Sequence, residues 1–471
     1  MINGPVVFIN YETLIMIIYM VITFVSFYPI TYQLLIIKRG IRKHDETPST
    51  EGLNMENRSR VRVFIVVPAK SEPLDLIESS MSRLSSLGNE FNITYVLDNY
   101  DNETISIIKA LGSKYGFKVI HREKPRGFKG GALNHVIKRL GLNDEDYMLV
   151  LDIDSVISTD TLRELQRFLG SASAVVPRWT TINRNDSLLA RGQWLGYLFF
   201  FRVFKALDNL VNWVPILGSG SLVSVGAVRR VGYWPEDVLE DVELGVKFFT
   251  GNLRVKYSDN AQVQVEVPVN YMGFLRQQLR WSLGVGRVIR RYFWQVLRRR
   301  HGSTVMLYLG QYLAYILQLI SILMLAIIDI IGLRIPLWVF ASLLVLVVPS
   351  LALYLYNLID LDREYGGDPR RDVFAINSVN LAFIMALPRI AIANLMGLLG
   401  IGSIEWVPTP KGSRKWSREG INLLPEFLMT SIVIIAFIFS VIHLTLLNML
   451  ITLPYLAGYV RGLWRVINGT L

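Results

Sequence analysis

Residues 147–154 read YMLVLDID, a short apolar run that ends in two aspartates, Asp152 and Asp154. A bounded apolar run of this length is typical of a buried strand. Residues two apart on a strand project to the same side, so both carboxylates are expected to face one ligand. Carboxylate oxygens are the ligands that Mg²⁺ and Mn²⁺ prefer, and these ions usually bridge to phosphates. The alternative for this D-x-D pair alone is two solvated loop carboxylates.

The segments before this motif alternate between strand and helix patterns. Strands are predicted at VRVFIVVPA (61–69), ITYVLD (93–98) and FKVIH (117–121), and helices at 74–87, 105–115 and 130–140. Strands that alternate with helices indicate βαβ units and a mostly parallel sheet. Ligands of such a sheet bind at the carboxyl ends of the strands, where Asp152 and Asp154 stand.

The rest of the chain is apolar in long runs. Of its 471 residues 52% are hydrophobic and only 18% are charged, whereas a soluble domain has about a quarter charged residues. The surplus collects at the N-terminus and in the last third, in runs long enough to cross a bilayer. This pattern excludes an ordinary cytosolic enzyme and a secreted protein. The first run lacks the basic start and cleavage site of a signal peptide, so it is predicted to be retained.

Composition shifts divide the chain into eight parts. The predicted parts are an N-terminal transmembrane helix with its basic flank (1–43), a linker (44–60), a cytoplasmic α/β domain (61–268), interfacial amphipathic helices (269–302), a transmembrane hairpin (303–358), a cytoplasmic loop with an interfacial or re-entrant helix (359–402), a polar loop (403–422) and C-terminal transmembrane helices (423–471). The result is a multi-pass membrane protein with its α/β domain in the cytoplasm.

Charge and cysteine content narrow the classes of partner. The net charge is 49 − 38 = +11, but the cations lie beside apolar runs, as at Lys38, Arg39 and 298–300. That placement favours positive-inside anchoring against membrane lipids and makes a nucleic-acid partner improbable. The chain has no cysteine, which excludes disulfides, thiolate catalysis and cysteine-based metal sites.

Two further polar residues are expected at the same sheet edge. Asp98 ends the strand ITYVLD, where a carboxylate can accept hydrogen bonds from a nucleotide base or ribose. Lys129 lies in a glycine-rich turn before a helix, a place that favours anionic groups. The alternatives are a helix N-cap for Asp98 and a surface cation for Lys129.

Two later segments carry groups that suit proton transfer and anion binding. Glu240 and Asp241 open a predicted helix, and one of them can serve as a general base that takes a proton from a hydroxyl; acids placed against the helix dipole are the alternative. Gln277, Arg280 and Trp281 share one face of a later helix. Arg280 can neutralise a diphosphate, although a basic helix on a membrane surface also produces such a pattern.

The order of these motifs carries more information than any one of them. VPAKSEP, Asp98, KGGALN (129–134) and Asp152-Ile-Asp154 are followed by GSGS (218–221), LED (239–241) and QQLRW (277–281). In this order the chain, from about residue 65 to 411, resembles the family 2 glycosyltransferases. Within that family it is similar to the membrane-embedded cellulose, chitin and hyaluronan synthases. The fold that this implies is a GT-A-like nucleotide-sugar-binding domain joined to an α-helical multi-pass membrane domain.

The resemblance also implies a role for each motif residue. On the donor side, Asp98 and Lys129 would bind the nucleotide, Asp152 the nucleotide sugar, and Asp154 the Mn²⁺ or Mg²⁺ ion on its diphosphate. Asp241, with Glu240 beside it, would be the catalytic base. Gln277 and Arg280 would close over the diphosphate, and Trp281, Gly218 and Ser219 would contact the acceptor. The chain departs from the family's T-E-D in having Leu239 where the family has Thr.

The polar loop 403–422 has a resemblance of its own. Its segment WVPTPK (406–411) resembles the gating loop of cellulose synthase, so Thr409 and Lys411 are expected to contact bound nucleotide. Trp406 replaces the usual Phe and Pro408 the usual Val.

The sequence supports one main function and two competitors. The main hypothesis is transfer from a UDP-sugar with inversion, which builds and exports a β-linked polysaccharide at the plasma membrane. The first competitor adds one sugar to a lipid acceptor, as ceramide glucosyltransferase-like enzymes do, and product length separates the two. The second is a transporter or channel with a regulatory nucleotide-binding domain, whose function would survive Asp241→Asn.

Overall fold

The apolar run that precedes Asp152 and Asp154 forms a strand inside a mixed sheet of eight strands. The computed structural model describes residues 11–41, 61–88, 91–402 and 422–471. In chain order the strands are β1 (Val63–Lys70), β2 (Asn92–Asp98), β3 (Lys118–His121), β4 (Tyr147–Val150), β5 (Val156–Ile157), β6 (Ala174–Thr181), β7 (Leu222–Ser224) and β8 (Val255–Val265). Their order across the sheet is β3-β2-β1-β4-β7-β6-β8-β5. The half from β3 to β4 is parallel, and the short strand β7 is antiparallel to both β4 and β6.

Helices cover both faces of this sheet. They are Leu74–Ser85, Asn102–Tyr115, Phe128–Arg139, Thr159–Gln166, Leu188–Val211, Val225–Arg230 and Glu240–Thr250. Alternate side chains of β1 enter two apolar cores, Ile65 and Val67 on one face and Phe64 and Val66 on the other. A strand buried on both faces explains why VRVFIVVPA reads as a continuous apolar run. The α/β prediction, with its GT-A-like arrangement, is confirmed.

The two motif aspartates do not lie on a strand, which corrects one step of the sequence argument. Strand β4 ends at Val150, and the chain turns at once: the Ser155 amide donates to the Asp152 carbonyl at 3.0 Å. Pairing with β7 reaches only Leu149, so nothing extends the strand into the aspartates. Their common direction therefore comes from this tight turn, which we call the donor turn (residues 151–155).

A single long helix replaces the predicted set of interfacial helices at 269–302. It spans Tyr271–Leu297 and is called the signature helix below. It crosses the helix Pro369–Leu399 closely because glycines meet there: a β-carbon on Gly286 would lie 2.5 Å from the Asn394 carbonyl oxygen, and one on Gly397 would lie 2.2 Å from the Leu283 carbonyl oxygen. Small residues of this kind let two helix backbones approach each other.

Four helices among the described residues are long and apolar enough to cross a membrane. They are Gly302–Ile330 (which includes a 3₁₀ turn at Gly310–Tyr312), Leu337–Glu364, Pro369–Leu399 and Leu424–Ile442, and a bent pair at the N-terminus makes up to five. The first two fall in the segment that the sequence predicts to be a transmembrane hairpin (303–358). The last helix, Leu446–Ile467, is not among them, although the sequence predicts two C-terminal spans. Its buried Asn448 and Thr452 lower its hydropathy and bind Asp329 of the first helix.

The predicted N-terminal transmembrane helix is a bent pair. Helices Tyr11–Ser26 and Tyr28–Gly40 meet at 45° around Phe27. Pro29 stands in the first turn of the second helix and lacks the backbone N–H that would continue the first one. The two parts therefore run in different directions within one predicted span.

The predicted interfacial or re-entrant helix within 359–402 is one unbroken helix, Pro369–Leu399. A re-entrant segment would turn back on itself, so that half of the prediction is wrong. Two polar side chains of this helix have protein partners. The Asn394 amide donates to the Ser282 carbonyl at 2.8 Å, and Arg389 pairs with the buried Glu426 at 2.8 Å.

Candidate active site

A cavity of about 1170 Å³ opens where the parallel strands end and the signature helix crosses the sheet. Its lining includes all the predicted site residues of the described chain except Ser219: Asp98, Lys129, Asp152, Asp154, Gly218, Glu240, Asp241, Gln277, Arg280 and Trp281. Pockets for one small molecule usually measure about 300–1,000 Å³. This cavity lies just above the upper end of that range. Thr409 and Lys411 lie outside the described residues.

Lys129 joins the donor turn to the opposite wall of the cavity. Its ammonium group donates to Asp152 Oδ1 and to the Gly218 carbonyl, both at 2.6 Å. Burial works against this charge, but the carboxylates around it, led by Asp152, raise the pKa of Lys129. The lysine therefore stays charged and holds a half-buried aspartate at the mouth of the turn.

Ser219 lies beneath the donor turn and not on the cavity wall, which corrects its prediction as an acceptor contact. Its hydroxyl accepts the Asp152 amide at 3.0 Å and lies 2.8 Å from the Ser155 hydroxyl. The Trp179 indole N–H donates to the Ser219 carbonyl at 2.8 Å. The GSGS motif therefore positions the donor turn through Ser219, while Gly218 alone borders the cavity.

Asp98 is held by an arginine that the sequence analysis missed. Arg122 Nε donates to Asp98 Oδ1 at 2.7 Å, Nη2 of the same guanidinium contacts Oδ2, and both side chains are at most 10% exposed. The arginine also donates to the Arg126 carbonyl at 2.9 Å, which fixes the turn before helix Phe128–Arg139. Arg122 directly follows β3, and its position after a strand in line with Asp98 is the only signal that the sequence offers.

Glu240 and Asp241 are crowded together in the first turn of helix Glu240–Thr250. Burial, followed by repulsion from Asp241, raises the pKa of Glu240. Burial also raises the pKa of Asp241, but its Oδ1 accepts the Val242 amide at 2.8 Å and Lys129 and Arg280 oppose the rise. Two adjacent carboxyls do not both ionise readily, so Glu240, which is buried, retains the proton and Asp241, which is half-buried, carries the charge.

The signature helix closes the cavity over these acids. Gln277, Arg280 and Trp281 all line it, as their shared helix face predicts. The adjacent Gln278 points away and accepts a hydrogen bond from the Tyr312 hydroxyl at 2.9 Å. Arg280 is therefore placed where it can meet an anionic ligand, with Trp281 beside it.

The carboxylates of the donor turn suit a divalent ion that is shared with a phosphate ligand. The described residues hold no group of three or more His, Asp or Glu side chains that could coordinate an ion by itself. Asp154 is buried and borders the cavity, and Asp152 beside it is already paired with Lys129. Mg²⁺ is commonly bound through one or two carboxylates, with substrate phosphates and water completing its shell. The donor set fits that arrangement.

Two aromatic side chains on the cavity wall also escaped the sequence analysis. Trp179 of β6 and Tyr197 of helix Leu188–Val211 line the cavity, with ring centroids 5.8 Å apart in an edge-to-face arrangement. Neither belongs to a motif, and both are parts of elements that the sequence analysis left unassigned.

The chain matches two models of one enzyme family. The model described as glycosyl transferase family 2 matches residues 64–225, and the one described as glycosyl transferase family group 2 matches residues 147–357. The two overlap over residues 147–225, which include the donor turn. Together they extend from β1 into helix Leu337–Glu364.

Relatives and one solved structure agree with these matches. A probable glycosyltransferase of Sulfolobus acidocaldarius is 26% identical over 452 residues, covering 92% of each chain. A poly-beta-1,6-N-acetyl-D-glucosamine synthase of Staphylococcus epidermidis is 26% identical over 303 residues, 62% of this chain and 72% of that protein. A mannosyltransferase from Pyrobaculum calidifontis, solved with GDP-Man and Mn²⁺, has a similar fold, with a TM-score of 0.55 and 17% identity over 81% of this chain and 99% of that one. The chain is a glycosyltransferase that belongs to family 2 and resembles its membrane-embedded, polysaccharide-building branch.

Proposed function

We propose that this chain transfers a sugar from a UDP-sugar to an acceptor hydroxyl, with inversion at the anomeric carbon. The observation that carries the proposal is the position of Lys129, which binds Asp152 of the donor turn and the Gly218 carbonyl. A β-carbon on Gly218 would lie 2.9 Å from Asp241 Oδ2 and 3.5 Å from Lys129 Nζ. The donor turn and the charged acid thus border the same small space, as an in-line transfer requires.

Asp241 is the base in this proposal. Its carboxylate accepts the proton of the acceptor hydroxyl while the hydroxyl oxygen attacks the anomeric carbon. The bond from that carbon to the diphosphate oxygen breaks, and its electron pair leaves with UDP. Arg280 and Lys129 face the negative charge that develops on the diphosphate; such preorganised groups typically contribute a few kcal/mol each.

A divalent ion belongs to the same proposal. Asp154, together with Asp152, would hold Mn²⁺ or Mg²⁺, and the bound ion supplies positive charge to the diphosphate. Asp98 and Arg122 lie farther along the cavity, where they suit the base and ribose of the nucleotide. Trp281 offers a flat face to the acceptor sugar.

We infer a polysaccharide product and a plasma-membrane location from the family branch and the apolar helices. In this proposal the α/β domain is cytoplasmic, which the positive flanks of the apolar runs favour. Addition of one sugar to a lipid-linked acceptor uses the same chemistry, so the length of the product decides between the two.

The test is nucleotide release by the detergent-purified protein with a panel of UDP-sugars. GDP-mannose belongs in the panel because the similar mannosyltransferase was solved with GDP-Man. Each donor is assayed with Mn²⁺, with Mg²⁺ and with EDTA, and product size is measured on the same samples. Metal-dependent turnover of one UDP-sugar that Asp241→Asn abolishes supports the proposal.

The other outcomes separate the alternatives. A high-mass product indicates polymerisation, and a single glycolipid indicates the lipid acceptor. Turnover of GDP-mannose alone would contradict the UDP assignment. Nucleotide binding without sugar release, unaltered in Asp241→Asn, would favour a regulatory domain.

A further inference from the structure

A network of ion pairs behind the catalytic acids links them to the signature helix. Asp237 and Glu243 stand on either side of Glu240 and Asp241 in the chain, and both are buried. Arg287 Nη1 donates to Asp237 Oδ1 at 2.6 Å, and Arg291 Nη2 donates to Asp237 Oδ2 at 2.6 Å. The buried Asp237 carboxylate thus accepts hydrogen bonds from two guanidinium groups on the same face of the signature helix.

Glu243 completes the network on the other side of the acids. Arg291 Nη1 donates to Glu243 Oε2 at 2.8 Å, and the Tyr292 hydroxyl donates to Oε1 at 3.0 Å. Charge-assisted hydrogen bonds of a planar guanidinium fix orientation as well as distance. Both carboxylates that flank the acids are therefore held by side chains about two to three turns beyond Arg280.

Arg287 has a second contact that ties down a third element. Its Nη2 donates to the Gly402 carbonyl at 2.7 Å, just past the end of helix Pro369–Leu399. The spacing of Arg287 and Arg291 on a basic helix suggests a membrane-surface face, but the structure directs both side chains to the α/β domain. Neither contacts the cavity, so any effect on the reaction must pass through other residues.

We propose that Arg287 and Arg291 are positioning residues, which hold Asp241 in register with Arg280 and Trp281 through Asp237 and Glu243. This inference rests on the proposed function of Asp241 as the base. Removing Arg287 takes away one of the two guanidinium partners of Asp237, and removing Arg291 takes away the other together with the ion pair of Glu243. Either loss weakens the hold on these buried carboxylates, so the first turn of helix Glu240–Thr250 shifts relative to the signature helix. A misplacement of about 1 Å at reacting groups costs on the order of 100-fold in rate.

The kinetic test compares Arg287→Gln and Arg291→Gln with Arg299→Gln, an exposed arginine beyond the same helix. In the first two, kcat is expected to fall by about 10- to 100-fold, while KM for the donor changes little because the donor turn is untouched. Arg287→Lys, which keeps one charged contact, is expected to recover part of kcat. A loss of kcat matched by Arg299→Gln, or an unchanged kcat in both network variants, would overturn the proposal.

The pH profile adds a readout that a purely structural role would leave unmoved. The charged groups that face Asp241 are Lys129 and Arg280, and the neighbouring titratable group is the protonated Glu240. When Asp241 moves away from Arg280 it loses a positive neighbour, so the base needs higher pH to ionise. The acid limb of the kcat profile should therefore move to higher pH in Arg287→Gln and stay in place in Arg299→Gln.

A distance measurement tests the positioning even where no donor is turned over. The chain has no cysteine, so spin labels on Thr250→Cys and Gln295→Cys report the spacing of the two helices without background. Arg287→Gln should shift or broaden that distance distribution, and Tyr292→Phe should do so less. An unchanged distribution in Arg287→Gln contradicts the inference, whereas a changed distribution in a protein without transferase activity would contradict only the proposed function.

Discussion

At the scale of single residues, the ionisable groups of the cavity differ in their protonation and in their partners. Lys129 forms an ion pair with Asp152, and Glu240 keeps its proton because it is buried and because Asp241 beside it is ionised. Like-charged carboxyls in contact separate their pKa values in this way, which assigns one of them as acid and the other as base. Replacing Glu240 and replacing Asp241 by the corresponding amides should therefore have different effects on activity.

We expect Asp241→Asn to lower kcat by at least about 100-fold, because the acceptor hydroxyl loses its base. Glu240→Gln mimics a protonated acid and should retain most of the activity. Burial raises the pKa of Asp241, and the ionised base is the active form, so activity should rise with pH above the ordinary carboxyl range. The measurement is kcat against pH for the three proteins, with nucleotide binding as the control for folding. Equal losses in both variants would contradict the division of roles.

The pair of Asp98 and Arg122 yields a prediction about stability. Arg122→Gln leaves a buried carboxylate unpaired, a change that costs about 3–5 kcal/mol in buried ion pairs. The thermal midpoint of the purified protein should fall, and nucleotide affinity should fall with it. The double variant Asp98→Asn/Arg122→Gln removes both charges and should regain part of the midpoint. A double variant that is no more stable than Arg122→Gln would contradict a stabilising role for the Asp98–Arg122 ion pair at this side of the cavity.

At the scale of elements, the sequence predicts whatever depends on local periodicity. The first three strands and the helices between them follow from apolar runs and their boundaries. The gathering of Asp98, Lys129 and the donor turn follows from the rule that parallel strands end at one edge. Short β7 has three residues and no pattern of its own, so its antiparallel insertion between β4 and β6 could not be foreseen.

The sequence does not reveal which side chains form ion pairs when they are far apart in the chain. Arg122 pairs with Asp98 across 24 residues, and Arg287 pairs with Asp237 across 50. A helical spacing of arginines shows that they share a face but does not show what that face meets. The sequence therefore predicts a membrane-surface helix here, although Arg287 and Arg291 face buried carboxylates.

The glycine crossing between the signature helix and helix Pro369–Leu399 provides a prediction for a pair of elements. Gly286→Ala would place a β-carbon 2.5 Å from the Asn394 carbonyl oxygen and 2.9 Å from the Leu398 amide nitrogen. Backbone atoms cannot move aside as a side chain can, so we expect a loss of about 1–3 kcal/mol. Gly196→Ala is the matched control, because nothing lies within 4 Å of its β-carbon and alanine favours the helix. A lower thermal midpoint in Gly196→Ala than in Gly286→Ala would contradict the close crossing.

At the scale of the whole molecule, successive apolar segments return to the α/β domain. Glu364, at the end of the hairpin, pairs with Arg202 at 2.6 Å. Gly469, beyond the last helix, borders the cavity. The two helix pairs Gly302–Ile330 with Leu337–Glu364, and Leu424–Ile442 with Leu446–Ile467, therefore each leave the domain and come back to it. We infer that each pair crosses the membrane twice.

Helix Pro369–Leu399 is the exception, because both of its ends contact the α/β side. Asp372 in its first turn pairs with Arg191, and Gly402 just after it accepts from Arg287. A helix of 31 residues that crossed the bilayer would place its ends about 45 Å apart on opposite sides. Its length and apolar composition alone would allow such a crossing, but its end contacts favour a helix that lies along the membrane surface.

Single cysteines in this cysteine-free chain decide between these arrangements. Ile331→Cys and Leu446→Cys lie at the far ends of the two helix pairs and should react with a membrane-impermeant maleimide applied to intact cells. Ile401→Cys follows helix Pro369–Leu399 and should react only after the membrane is permeabilised. All three side chains are exposed, so a difference in labelling reports the side of the membrane and not burial. If Ile401→Cys reacts in intact cells, helix Pro369–Leu399 spans the membrane, and the contact between Gly402 and Arg287 cannot form in the cytoplasm.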